Sequence, residues 1–165
     1  MITPEYVAVM ADYNAELNRR IYAAAGRLPA AEREADGDAF WKSIRGTLSH
    51  LYWADLMWLS RFGATPPPEA PIGGSDAFVA DFDDLAARRV VLDARIIDWA
   101  RGLGAADLEG DLVWMSGATG REMTKPKALC VMQIFNHQTH HRGQVHALLT
   151  RAGEATGATD LPFVL

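Results

Sequence analysis

The sequence predicts an all-α protein, an up-down four-helix bundle with a long irregular connection before the last helix. Three observations predict it. Apolar residues recur at three- and four-residue steps through four long stretches, and proline and glycine clusters separate those stretches. Of the 165 residues, 49% are hydrophobic and 22% charged, a balance that supplies one core and a solvated surface, so a single domain over residues 1–165 is expected.

Thr3, Pro4 and Glu5 read as an N-cap, a first-turn proline and a first-turn acid, opening a helix that runs to about Gly26. Pro29 to Asp38 is a charged connector with one short helical turn over Ala30 to Glu34. A long second helix is expected from Ala39 to Phe62, where Trp41, Ile44, Leu48, Leu51, Trp53 and Leu59 lie in a stretch interrupted only by Gly46. Gly63, Pro66-Pro67-Pro68, Pro71 and Gly73-Gly74 forbid regular structure until Ser75, the expected cap of a third helix from Asp76 to about Arg101. Between Gly102 and Lys125 the period changes, and Leu112 to Met115 with Arg121 to Met123 reads as two short paired strands or an irregular loop. Pro126 opens a fourth helix that continues to about Ala152. In the tail, Leu161-Pro162-Phe163 is expected to lie back on the body as an apolar clip.

The net charge of −5 and the lack of a basic stripe speak against nucleic acid as a partner. No apolar run approaches the roughly 20 residues that span a bilayer, so no membrane role is expected. A lone cysteine, Cys130, and a start without a secretory layout predict the cytoplasm.

His137 and His141 fall about 40° apart on the fourth helix and share a stripe with Cys130, Ile134, Gln144 and Leu148, so the pair faces inward. His140 sits on the flank of that stripe, and His146 lies about opposite, where a surface or dimer contact is expected. On the second helix His50 is ringed by small residues, Ser43, Gly46, Thr47 and Ala54, which imply a cavity beside its ring. If the two helices are neighbours, His50, His137 and His141 supply three imidazoles to one divalent ion and leave coordination positions open. The competing reading is three hydrogen-bonded core histidines without an ion. Asn14, Asn18, Ser43, Thr47 and Gln144 are candidates to orient the rings, Trp53 and Trp58 to line the pocket, and His140 to shuttle protons. Arg142 and Gly143 read as structural, the glycine admitting a neighbouring helix. Val131, Phe135 and Leu149 on the fourth helix, with Trp41, Leu48 and Leu59 on the second, form surplus apolar faces that predict a homodimer.

Asn136-His137, followed by His140-His141-Arg142-Gly143-Gln144, resembles the last-helix signature of the DinB/YfiT-like family of metal-dependent enzymes. Thr47-Leu48-Ser49-His50-Leu51 with Ala54-Asp55 and Trp58-Leu59 is similar to that family's second-helix segment, Tyr13-Asn14 with Asn18 to its first, and Asp160-Leu161-Pro162-Phe163 to its tail. The resemblance covers essentially the whole chain and implies a four-helix bundle, a metal held by His50, His137 and His141, and dimerisation through helix faces. It also implies activities among thiol-dependent transferases and isomerases that use bacillithiol, mycothiol or glutathione.

The function expected is therefore a metal-dependent enzyme acting on a small molecule, either an S-transferase with a low-molecular-weight thiol as cosubstrate or a hydrolase. Zinc or nickel is the foremost ion, with iron or manganese as alternatives. The alternative is a non-catalytic metal- or small-molecule-binding dimeric bundle.

Overall fold

A computed structural model describes residues 1–165. The chain is mostly helical. In order it forms α1 (Pro4–Arg27), α2 (Ala30–Glu34), α3 (Ile44–Arg61), α4 (Phe82–Gly102), β1 (Asp111–Ser116), β2 (Arg121–Pro126), α5 (Lys127–Arg151) and α6 (Leu161–Val164), with short 3-10 turns over Ile72–Ala77 and Ala105–Leu108. The two strands pair antiparallel, Asp111 opposite Pro126 and Ser116 opposite Arg121. That settles the choice between strands and loop after α4 and corrects the all-α expectation by one hairpin.

Helix α1 starts where its cap signals place it, with the Thr3 hydroxyl accepting from the Tyr6 amide at 3.3 Å. Helix α3 starts five residues later than the periodicity implies. Lys42 adopts φ 66°, a left-handed turn that ends any continuous helix, and the Ser43 hydroxyl then caps α3 by accepting from the Gly46 amide at 3.0 Å. Neither proline nor glycine marks this turn, so the apolar period simply ran through it. Gly46 has a definite role here: a Cβ on it would meet the Trp41 carbonyl oxygen at 2.7 Å. Only glycine lets residues 39 to 43 fold down over the first turn of α3.

Helix α4 likewise begins at Phe82 and not at Asp76, because Asp81 is its cap, accepting from the Asp84 amide at 2.8 Å. Ser75 caps nothing. It sits fully buried in the 3-10 turn, which is pinned onto α3: the Ser49 hydroxyl donates to the Ser75 carbonyl at 2.9 Å and accepts from the Val79 amide at 3.1 Å.

In the core, α1 packs against α4 and α5, and α3 against α5 and α4. Leu48, Leu59, Val131, Phe135 and Leu149, the faces expected to await a partner subunit, are all within this core. Each such side chain contributes about 1.5–3 kcal/mol by its burial. The surplus was only apparent, because α1 and α4 cover faces that a wheel of one helix leaves bare. The tail departs from expectation in the same sense: Leu161 and Phe163 stay exposed, and polar contacts hold the segment instead. Tyr13 donates to the Thr159 carbonyl at 2.5 Å, Arg20 to the Ala158 carbonyl at 3.1 Å, and Arg27 pairs with Glu154. His146, expected at the surface, is half-buried beneath this tail, its Nδ1 2.6 Å from the Thr156 hydroxyl.

Candidate metal centre

Helices α3 and α5 lie side by side, and their contact brings three imidazoles together. One ring nitrogen from each of His50, His137 and His141 lies within 4.8 Å of the other two, and the Nε2 atoms of His50 and His137 are 3.2 Å apart. Ligand nitrogens at about 2.0–2.1 Å from a tetrahedral ion are about 3.4 Å apart, so this pair has the spacing of two ligands on one centre. His50 and His141 are buried and His137 half-buried.

The outer nitrogens of two rings are held. With Nδ1 protonated, His50 donates to the Ser75 hydroxyl at 2.8 Å and His141 to Gln144 Oε1 at 2.7 Å. Both tautomers turn an Nε2 lone pair inward, the form a metal needs. His137 Nδ1 is buried without a partner. Burial holds all three rings neutral: the His50 pKa is pushed down to about 3 and that of His137 to about 4, with neighbouring imidazoles adding to the shift. His141 is lowered too, by burial more than the Gln144 hydrogen bond raises it. Three neutral imidazoles whose lone pairs converge fit a divalent ion.

The small residues around His50 do not leave a void beside its ring. Trp41, carried in by the chain turn over Gly46, stacks on the imidazole at 4.1 Å, and Trp53 flanks it at 6.2 Å. Trp53 is fixed by its indole, which donates to the Ala70 carbonyl at 2.8 Å. Of the predicted neighbours, Gln144 and Trp53 are therefore at the site. His140 is exposed on its rim, 4.8 Å ring to ring from His141. Ser43 and Thr47 are not ring partners: Ser43 caps α3, and the Thr47 hydroxyl donates back to the Ser43 carbonyl at 2.8 Å. Trp58 turns away, packing on Phe62 and Trp114 with Arg61 over its face.

Asn14 and Asn18 belong to a different set of contacts, a buried polar chain behind the histidines. Asn14 accepts from Arg142, Arg142 also donates to Gln138 Oε1 at 3.2 Å, and Gln138 donates to Asp55. Asp55 accepts from Arg89 at 2.7 Å, the other end of Arg89 lies 2.7 Å from Asp93, and Asn18 donates to Asp93 at 3.0 Å. Burial raises the Asp55 pKa to about 6 against the pull of Arg89. Sequence reasoning missed Ser75, Trp41 and this chain. Ser75 looked like a cap and Trp41 like a helical core residue. The Arg89-to-Asp93 spacing of one helical turn, amid apolar neighbours, was the available signal for the chain.

A mostly helical chain that gathers two buried imidazoles and a half-buried one from two helices has the form of a metal-binding helical protein. Comparison with known proteins specifies it further: the DinB family profile matches residues 1–165, and the chain belongs to the DinB family. It is similar to Protein DinB of Bacillus subtilis (strain 168), 26% identical over 161 residues that cover 93% of this chain and 90% of that protein. No solved structure matches the chain significantly.

Proposed function

We propose that this chain is a metal-dependent enzyme of the up-down four-helix-bundle type, holding one divalent transition-metal ion on His50, His137 and His141. The convergence of three neutral ring nitrogens within 4.8 Å carries the reading. Zinc or nickel is the foremost ion, iron or manganese the alternatives, since imidazole suits all of them and availability decides among them. Such an ion supplies Lewis acidity, lowering the pKa of a water or thiol that takes its open positions.

The protein's own groups do the rest. Ser75 and Gln144 fix the His50 and His141 tautomers. Trp41 and Trp53 keep bulk water from His50. His140, exposed beside His141, is placed to exchange protons between solvent and the site. The reaction is transfer of a small electrophile to a low-molecular-weight thiol, or hydrolysis of a small molecule. A homodimer remains part of the proposal, with Val90 and Val91, exposed on α4, as its available apolar surface.

Metal analysis of protein purified without an affinity tag tests the site: about one equivalent is expected, and His50→Ala should lose it. Unchanged stoichiometry in that variant would refute the assignment and favour the metal-free reading, in which His137 donates from Nε2 to His50. A panel of thiols with monochlorobimane, run with and without added metal, tests the transferase. Metal-dependent conjugation supports it; bound metal without turnover of thiols or hydrolysable esters supports the non-catalytic binding bundle.

A further inference from the structure

The C-terminal ends of α3 and α4, the start of α5 and strand β1 line a cleft of about 370 Å³, within the size range of small-molecule sites. His50 lies three turns back along α3, roughly 16 Å away, so the cleft is separate from the histidine group. Phe62 and Trp99, stacked on each other at 5.5 Å and both partly exposed, form an aromatic wall. The charged groups that line the cleft are Arg61, Lys127 and Asp107.

Arg61 is half-buried and makes neither a hydrogen bond nor an ion pair. Its guanidinium lies over the Trp58 ring at 4.4 Å and the Trp114 ring at 5.2 Å. Stacking of this kind fixes the plane of the group and leaves its N–H edges free to donate. None of its nitrogens is sealed from solvent, whereas the orphaned nitrogens of Arg89 and Arg142 are. Burial draws the Arg61 pKa below the ordinary arginine value, and no carboxylate acts against that.

Lys127 also lacks an acid partner, for Lys42 is the one lysine in an ion pair. Asp107 is committed to the backbone, its carboxylate accepting from the Gly104 amide at 2.8 Å. Two cations against one carboxylate leave a positive charge unmatched, in a protein whose net charge is −5. One surplus charge beside an aromatic wall calls for a monoanion with a flat apolar body, and the two-donor edge of a guanidinium matches both oxygens of a carboxylate. A phosphate dianion would bring a second charge with nothing to meet it and no ring for the wall.

We propose that this cleft binds a small aromatic carboxylate, its oxygens on the Arg61 guanidinium, the Lys127 ammonium adding charge, and its ring against Phe62 and Trp99. The site stands whether or not the histidines hold an ion.

Calorimetric titration of the full-length protein with sodium benzoate, and in parallel with benzyl alcohol and inorganic phosphate, tests the proposal. Benzoate should bind at one site, and the alcohol and phosphate at least about tenfold more weakly, the usual worth of a charged hydrogen-bonded pair. Arg61→Gln should weaken benzoate by a similar factor, and Arg61→Lys, which keeps the charge and loses the fork, nearly as much. Lys127→Gln leaves Arg61 and its stacking in place and should weaken benzoate about two- to fivefold, as befits a partly exposed charge. That variant decides the matter if the Arg61 variants fail to fold. Stripping metal with a chelator, the fold being checked by circular dichroism, should leave benzoate affinity unchanged, which separates this cleft from carboxylate binding at the three histidines. No benzoate binding at millimolar concentration, equal affinity for benzoate and benzyl alcohol, indifference to the Arg61 and Lys127 substitutions, or loss from folded, stripped protein would each overturn it.

Discussion

At the scale of single residues, the hydroxyl of Ser75 shows how little of a site its ligands define. It is the sole partner of His50 Nδ1, and it comes from a tight turn, 25 residues along the chain. Ser75→Ala should leave the fold intact and weaken metal binding by about 10- to 100-fold, measured by competition with a chromogenic chelator. The histidines also set a pH dependence in metal-free protein. Because the folded pKa values of His50 and His137 lie near 3 and 4, below the ordinary 6.5, the unfolded chain binds protons that the native state refuses. Stability is therefore full above about pH 6.5 and falls as pH drops toward 4. Asp55, raised to about 6, works in the opposite sense between its ordinary range and that value, one group against two. The melting temperature of the chelated protein should accordingly decline from pH 7 to pH 4; a flat or rising profile would show that the rings are not buried as described.

Between elements, the buried chain from Asn14 to Asn18 ties α1, α3, α4 and α5 together through side chains alone. Removing one member strands charges that have no route to water. Asp55→Ala should cost about 3–5 kcal/mol in urea unfolding, since Gln138 loses its acceptor and the buried Arg89 keeps only Asp93. Here lies the boundary of what the sequence disclosed. Helices α1 and α5, with the inward pair on α5, were legible because their caps, proline and period agree. The starts of α3 and α4 were not, since a left-handed Lys42 and a 3-10 turn leave no mark in residue type. His50 was legible as a candidate, but its neighbours were misread: small residues made room for returning backbone and Trp41, not for a cavity. Asn14 and Asn18, expected to orient the imidazole rings, hydrogen-bond to Arg142 and Asp93 instead, because spacing on one helix cannot say which other helix it faces.

For the whole molecule, an ion bound only by the native state adds stability by mass action. At a thousandfold excess over Kd this amounts to about 4 kcal/mol, so chelator treatment should lower the melting temperature by several degrees, and re-addition of metal should restore it. No helix is long and apolar enough to cross a membrane. The His50 and His137 nitrogens that face each other are separated by 87 positions along the chain, with α4 and the hairpin between them. A nascent or unfolded polypeptide thus has at most the two α5 imidazoles near one another and cannot assemble the full ligand set. Loading of an ion on the proposed site would wait until synthesis and packing are complete, so its identity would be decided by whatever the finished protein meets and not by what is present at the ribosome.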